Sequence, residues 1–109
     1  MKITLNNLDT PLDTRLYVVS WHLGGVSLSD EPVDNYCDTC GDSDISDAGS
    51  STHGELLSAV VYEYTYGNID WLDKDDYNAV KEFLKENDYD LKIPLKDVKR
   101  ILMEDTDGR

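Results

Sequence analysis

The sequence predicts an α+β domain: a small antiparallel sheet of about four or five strands, with one or two C-terminal helices packed on one face. Three observations carry this. Leu16, Val18 and Ser20 alternate with Tyr17, Val19 and Trp21, the run ends in Gly24-Gly25, and VSLS returns, so a β-hairpin is expected over 15–29. Beyond Trp71 the apolar period changes from two to about 3.6, because Tyr77, Val80, Phe83 and Leu84 share one helix face. A chain of 109 residues is also long enough to bury one core without disulfides or a metal.

In chain order, MKITL alternates Ile3 and Leu5 with Lys2 and Thr4 and reads as a short strand, followed by a polar loop, NNLDTPLD. From Asp30 to Gly54 the large apolar residues are Val33, Tyr36 and Ile45, and Asp, Ser and Gly dominate. This predicts a long acidic loop at about 30–54 inside a single domain spanning 1–109. ELLSAVVYEYTYG has strong β preference and is expected to form a strand ended by Gly67-Asn68, with Glu55 to Ala59 able to open as a helical turn. Tyr62, Tyr64 and Tyr66 would then share one strand face.

Asp73 suits the N-cap of the first C-terminal helix, Asp75 and Asp76 suit its first turn, and Asn87 suits its exit. YDLKI reads as a short strand. Pro94 opens a second helix with Leu95, Val98, Ile101 and Leu102 as its apolar stripe, and the tail EDTDGR is expected to fray.

The chain carries 23 acidic and 10 basic residues, a net charge of −13, which argues against direct contact with nucleic acid or an anionic membrane. The distribution says more than the total. Residues 16 to 73 hold eleven acidic residues and no Lys or Arg, whereas residues 74 to 109 hold ten acidic and eight basic ones. No apolar stretch approaches the roughly 18 to 20 residues of a membrane-spanning helix, and MKITLNNLDT lacks the apolar core of a signal peptide. The expectation is a cytoplasmic protein whose two cysteines are reduced.

One local motif suggests chemistry. Cys37 and Cys40 have a spacing that lets two thiolates grip one ion from a tight turn, with Gly41 easing the backbone after it. His22 and His53 are the only histidines, so zinc held by Cys37, Cys40, His53 and His22 would use every cysteine and histidine in the chain. The alternative is a pair of unliganded thiols in a solvated loop. Redox chemistry would want a helix N-terminus and an electropositive setting, whereas GDSDISD supplies aspartates that would raise a thiol pKa. DSDISDAG lacks the glycine and glutamate of an EF-hand calcium loop. There is no G-x-S-x-G elbow, phosphate loop or dinucleotide fingerprint, and neither histidine has a recognisable nucleophile partner, so an enzyme is not expected.

The charge suggests a partner: a basic protein surface, such as a nucleic-acid-binding site. Carboxylates accept bidentate bonds from Arg much as phosphates do, and a dense acidic face steers association at long range. In size and charge the chain resembles the small acidic anti-restriction and anti-CRISPR inhibitors of phages and mobile elements, a resemblance that involves no residue motif. It implies an inhibitor that mimics nucleic-acid charge. An immunity-type protein capping a basic toxin would present the same surface. The expected contact residues are Asp30, Glu31, Asp34, Asp38, Asp42, Asp44 and Asp47, with Glu63 and Asp70 beside them. A small structural zinc domain built on the CxxC half-site is the other function that the residues allow.

Overall fold

The computed structural model describes the backbone of residues 1–107 and the side chains of residues 1–103. Seven strands and three helices follow one another as β1 (Lys2–Ile3), β2 (Pro11–Ser20), β3 (Val26–Ser29), β4 (Asp34–Tyr36), β5 (Ser43–Ser46), β6 (Ser50–Thr52), α1 (His53–Thr65), α2 (Lys74–Glu86), β7 (Asp90–Leu91) and α3 (Leu95–Asp107). A 3-10 helix, Ile69–Trp71, joins α1 to α2. The α+β class and the C-terminal helices are as the sequence predicts. The main sheet is antiparallel and five-stranded, in the order β3-β2-β5-β4, with β6 paired to β2. β1 and β7 form a separate parallel pair, Ile3 opposite Leu91.

The β2–β3 hairpin pairs Tyr17 with Ser29 and Ser20 with Val26. Gly24 and Gly25 turn the chain at φ of 103° and 99°, backbone that side-chain-bearing residues rarely adopt. Asp73 caps α2, its side chain accepting from the Asp76 N–H at 2.8 Å, and Asn87 closes the helix. Val80, Phe83 and Leu84 are the buried residues of α2, and Val98 and Leu102 enter the core from α3. The Tyr77 hydroxyl donates to the Ile93 carbonyl at 2.6 Å and ties α2 to the entry of α3. Of the tail expected to fray, α3 continues to Asp107, and Gly108-Arg109 lie outside the described residues.

Two elements differ from the sequence reading. The segment 55–66, expected as a strand, is helical: residues 55–65 belong to α1 and Tyr66 is its left-handed C-cap. Leu56, Leu57, Val60 and Val61 are all at most 1% exposed, a helical spacing that buries all four against the sheet and α2. Thr52 accepts from the Glu55 N–H at 3.2 Å, and the Glu55 carboxylate reaches back to the Ser51 N–H at 2.9 Å. That Thr-x-x-Glu pattern is a helix-start signature, whereas the strand expectation rested on the β-branched and aromatic residues that follow it. The three tyrosines therefore do not share a face: Tyr62 and Tyr66 are exposed, while Tyr64 packs on the core beside Phe83.

The second difference is the stretch 30–54, which is not one long loop. It supplies β4, β5 and β6, placing the most acidic part of the chain inside the sheet rather than beside it. The Val33 and Ser46 backbones hold β4 to β5, Ser46 N–H donating to the Val33 carbonyl at 3.0 Å and the Ser46 hydroxyl accepting from the Val33 N–H at 3.0 Å.

The core gathers Ile3 and Leu12, Val18 from β2, the α1 stripe, Leu72, the α2 stripe, Leu91, Ile93 and the α3 stripe. His53 lies inside it, 2% exposed and edge-on to the Tyr89 ring at 6.0 Å. Neither ring nitrogen of His53 has a hydrogen-bond partner among the described residues. A buried polar group without a partner costs about 1–3 kcal/mol, so His53→Leu is expected to stabilise the fold by about 1 kcal/mol, read as a higher denaturation midpoint at unchanged slope.

Candidate metal centre and acidic edge

The sheet register assembles the site. β2 runs antiparallel to β5 with Val19 opposite Ser46 and Ser20 opposite Ile45, so the residues just past β2 meet the start of β5. His22 therefore reaches Asp44, and the β4–β5 turn brings Cys37 and Cys40 to the same place. One ligand atom from each of His22, Cys37 and Cys40 lies within 4.8 Å of the other two. Gly41 donates to the Cys37 carbonyl at 2.8 Å and Cys37 to the Asp42 carbonyl at 2.8 Å, and Gly41 sits at φ of 79° to close this tight turn.

Asp44 organises the imidazole. Its Oδ1 accepts from the His22 backbone N–H at 2.8 Å and meets the His22 ring at Nδ1 at 2.5 Å. These two contacts, the backbone one first, hold the Asp44 carboxyl below its ordinary range, and the Asp44 bond raises the His22 imidazole above its own. With Nδ1 committed to Asp44, Nε2 is the nitrogen left for a metal. The Cys37 thiol is lowered to about 7, first by the Cys40 backbone N–H, then by the Cys40 side chain and the Thr39 N–H, with a smaller part from His22. The sequence expectation of a raised thiol is corrected here: hydrogen bonds to the sulfur, from the Cys40 and Thr39 amides above all, lower it instead.

Two expectations about histidine also change. His53 is buried in the core and is not brought to the cysteines, so the candidate donors that meet are His22, Cys37 and Cys40. His22 does have a thiol neighbour, since Asp44, His22 and Cys37 stand in the order of orienting carboxylate, imidazole and sulfur. The second thiol within the same 4.8 Å favours metal binding over a lone nucleophile, because two soft sulfurs and one imidazole converge on a common centre.

The acidic residues divide by role. Asp30, Glu31, Asp34, Asp38 and Asp42 are exposed, and they lie along the outer strand β4 and the turns at its two ends, beside the 65% exposed Tyr36. Their carboxylates make no hydrogen bond or ion pair among the described residues. Asp44 and Asp47, also expected at the contact surface, are engaged within the fold: Asp44 is buried against His22, and the half-buried Asp47 accepts through Oδ1 from the Val18 and Gly49 N–H groups at 3.1 and 2.9 Å. Asp70 is exposed but belongs to the 3-10 helix, which packs on α1 and α3. The role of Asp44 was legible only as alternation in SDIS, with Asp44 and Ile45 on opposite faces.

Between β5–β6 and α1 runs an open cleft of about 690 Å³, bordered by Ile45, Asp47, Ser58, Tyr62 and Glu63. Burial, and then the nearby Asp47, raises the Glu63 carboxyl above its ordinary value of 4.5. A carboxyl harder to ionise in the folded chain contributes stability that is full below that ordinary value and lost as pH rises through the raised folded one. Glu63→Gln is expected to remove this fall and to leave a more stable protein at neutral pH, as pH-dependent denaturation would show. Several of the cations lie elsewhere: Lys81, Lys85 and Lys92 border a separate cavity of about 490 Å³ beside α2 and β7.

The chain matches no protein-family model, no curated protein and no solved structure. Among the described residues no helix is long and apolar enough to cross a membrane.

Proposed function

We propose that this chain is a non-enzymatic binding protein that offers the β4 edge to a basic, nucleic-acid-binding surface of a protein partner and blocks it. The observation that supports this reading is the group of five exposed, uncompensated carboxylates on the outer strand β4 and the turns at its two ends, in a region without a single Lys or Arg. A merely solubilising surface would mix both signs, as residues 74 to 109 do. Five carboxylates clustered at one end of the sheet can stand in for the negative charge of a phosphate backbone, and the exposed Tyr36 between them adds an aromatic anchor. An inhibitor of a nucleic-acid enzyme and an immunity-type protein would both need such an acidic surface.

Zinc at His22, Cys37 and Cys40 supplements this reading. Four-coordinate zinc with Zn–S of about 2.3 Å and Zn–N of about 2.0–2.1 Å places its ligand atoms about 3.5–3.8 Å apart, so a closure of at most about 1.3 Å brings the three donors onto the ion. Asp44 behind the imidazole completes a carboxylate–histidine–metal arrangement, and the Thr39 and Cys40 amides support the Cys37 thiolate. The ion would pin the β4–β5 turn to the β2–β3 turn and so hold Asp38 and Asp42 in place. The test of the partner is capture from the native host at low and then high salt: release of a basic protein by salt is the expected result, and a salt-insensitive or acidic catch would refute the reading.

A further inference from the structure

We infer that the metal held by His22, Cys37 and Cys40 keeps its fourth position for a neutral imidazole from outside the chain, a histidine of the protein partner. The inference rests on the metal reading above and adds what the metal binds. Among the described residues three donors converge and no fourth joins them within the same distance. Four further donors that the sequence brings near or suggests are placed elsewhere. Asp44 is the buried acceptor behind His22, His53 is in the core, and the Asp38 and Asp42 carboxylates, though adjacent in sequence to the cysteines, lie outside the cluster.

Cys40 is exposed and Cys37 half-buried, so the open side of the site faces solvent, on the same acidic edge that the partner would cover. A three-ligand zinc site takes its fourth donor from water or from a bound molecule.

Among the side chains that a protein partner can offer, charge and ligand softness together select the class of that donor. Two thiolates and a neutral imidazole cancel the two positive charges of the ion. A carboxylate or a third thiolate would leave a net negative centre beside the exposed Asp38 and Asp42, at a Coulomb cost that grows as the partner excludes water. An imidazole adds no charge and suits an ion already bound to sulfur. The partner would thus be recognised twice, its Arg and Lys by the carboxylates of β4 and one histidine by the metal.

The test uses the whole chain loaded with cobalt(II), whose visible bands report coordination, titrated separately with imidazole, acetate and 2-mercaptoethanol. A saturable shift with imidazole, at an affinity at least about tenfold above that for acetate or the thiol, is the expected result; tenfold corresponds to about 1.4 kcal/mol. Bands unmoved by imidazole, or moved as readily by acetate or the thiol, would overturn the inference while leaving the metal site standing. So would bands altered by Asp38→Asn or Asp42→Asn before any ligand is added, since the fourth donor would then be internal. A chain that takes up no cobalt overturns this inference together with the metal reading itself.

Discussion

Reversal of Asp30, Glu31, Asp34, Asp38 and Asp42 to lysine is expected to abolish capture of the basic partner while the domain stays folded. The fold should tolerate it, because these side chains are exposed and engage nothing among the described residues. Surface substitutions of this kind usually change stability by less than about 0.5 kcal/mol each. Binding should not survive, because like charges set against each other at an interface cost several kcal/mol, about a hundredfold or more in affinity. Reversal of Glu82 and Glu86, exposed on α2, is the control for total charge. If that pair weakens binding as much per charge as the β4 set does, the edge is not the contact surface. Tight binding by the fivefold variant ends the proposal outright.

The second large effect concerns Cys37. Protein purified without chelator is expected to carry one zinc per chain, and Cys37→Ser to carry a trace, because two remaining donors hold the ion far more weakly than three. His53→Leu should keep the full complement, which separates the two histidines by a single metal analysis. Asp44→Asn should lie between, with affinity about 10- to 100-fold lower, as is typical when the group orienting a ligand is lost. The domain itself should outlast chelation, since its core draws on α1, α2, α3 and β2 and needs nothing from the cysteines. Zinc content unchanged in Cys37→Ser, or absent from the wild-type chain, would refute the site.

How much of this was legible in the sequence depended on whether a signal was local. The β2–β3 hairpin and α2 were legible because period, glycines and cap lie within a few residues of one another. α1 was not, because Val60, Val61, Tyr62 and Tyr64 favour a strand locally, and only their burial against the sheet and α2 selects the helix. β4, β5 and β6 were hidden for the opposite reason: SDIS and SST are too polar to announce strands, and they pair because β2 offers them a template.

The same division runs through the site. The sequence alone determined the composition of the centre and the acidity of the region around it, because charge and residue type are properties of the chain. Which donors meet was decided by the tertiary structure. His53, 13 residues beyond Cys40 in the chain, is taken into the core by the helix it begins, whereas His22, farther away in sequence, is carried to the cysteines by the β2–β5 register. Asp44 and Asp47 were likewise drawn from the acidic surface into hydrogen bonds, leaving five carboxylates on β4 and its turns. Spacing along a chain limits which side chains can meet. Strand pairing and burial, which act between residues distant in sequence, decide which of them do.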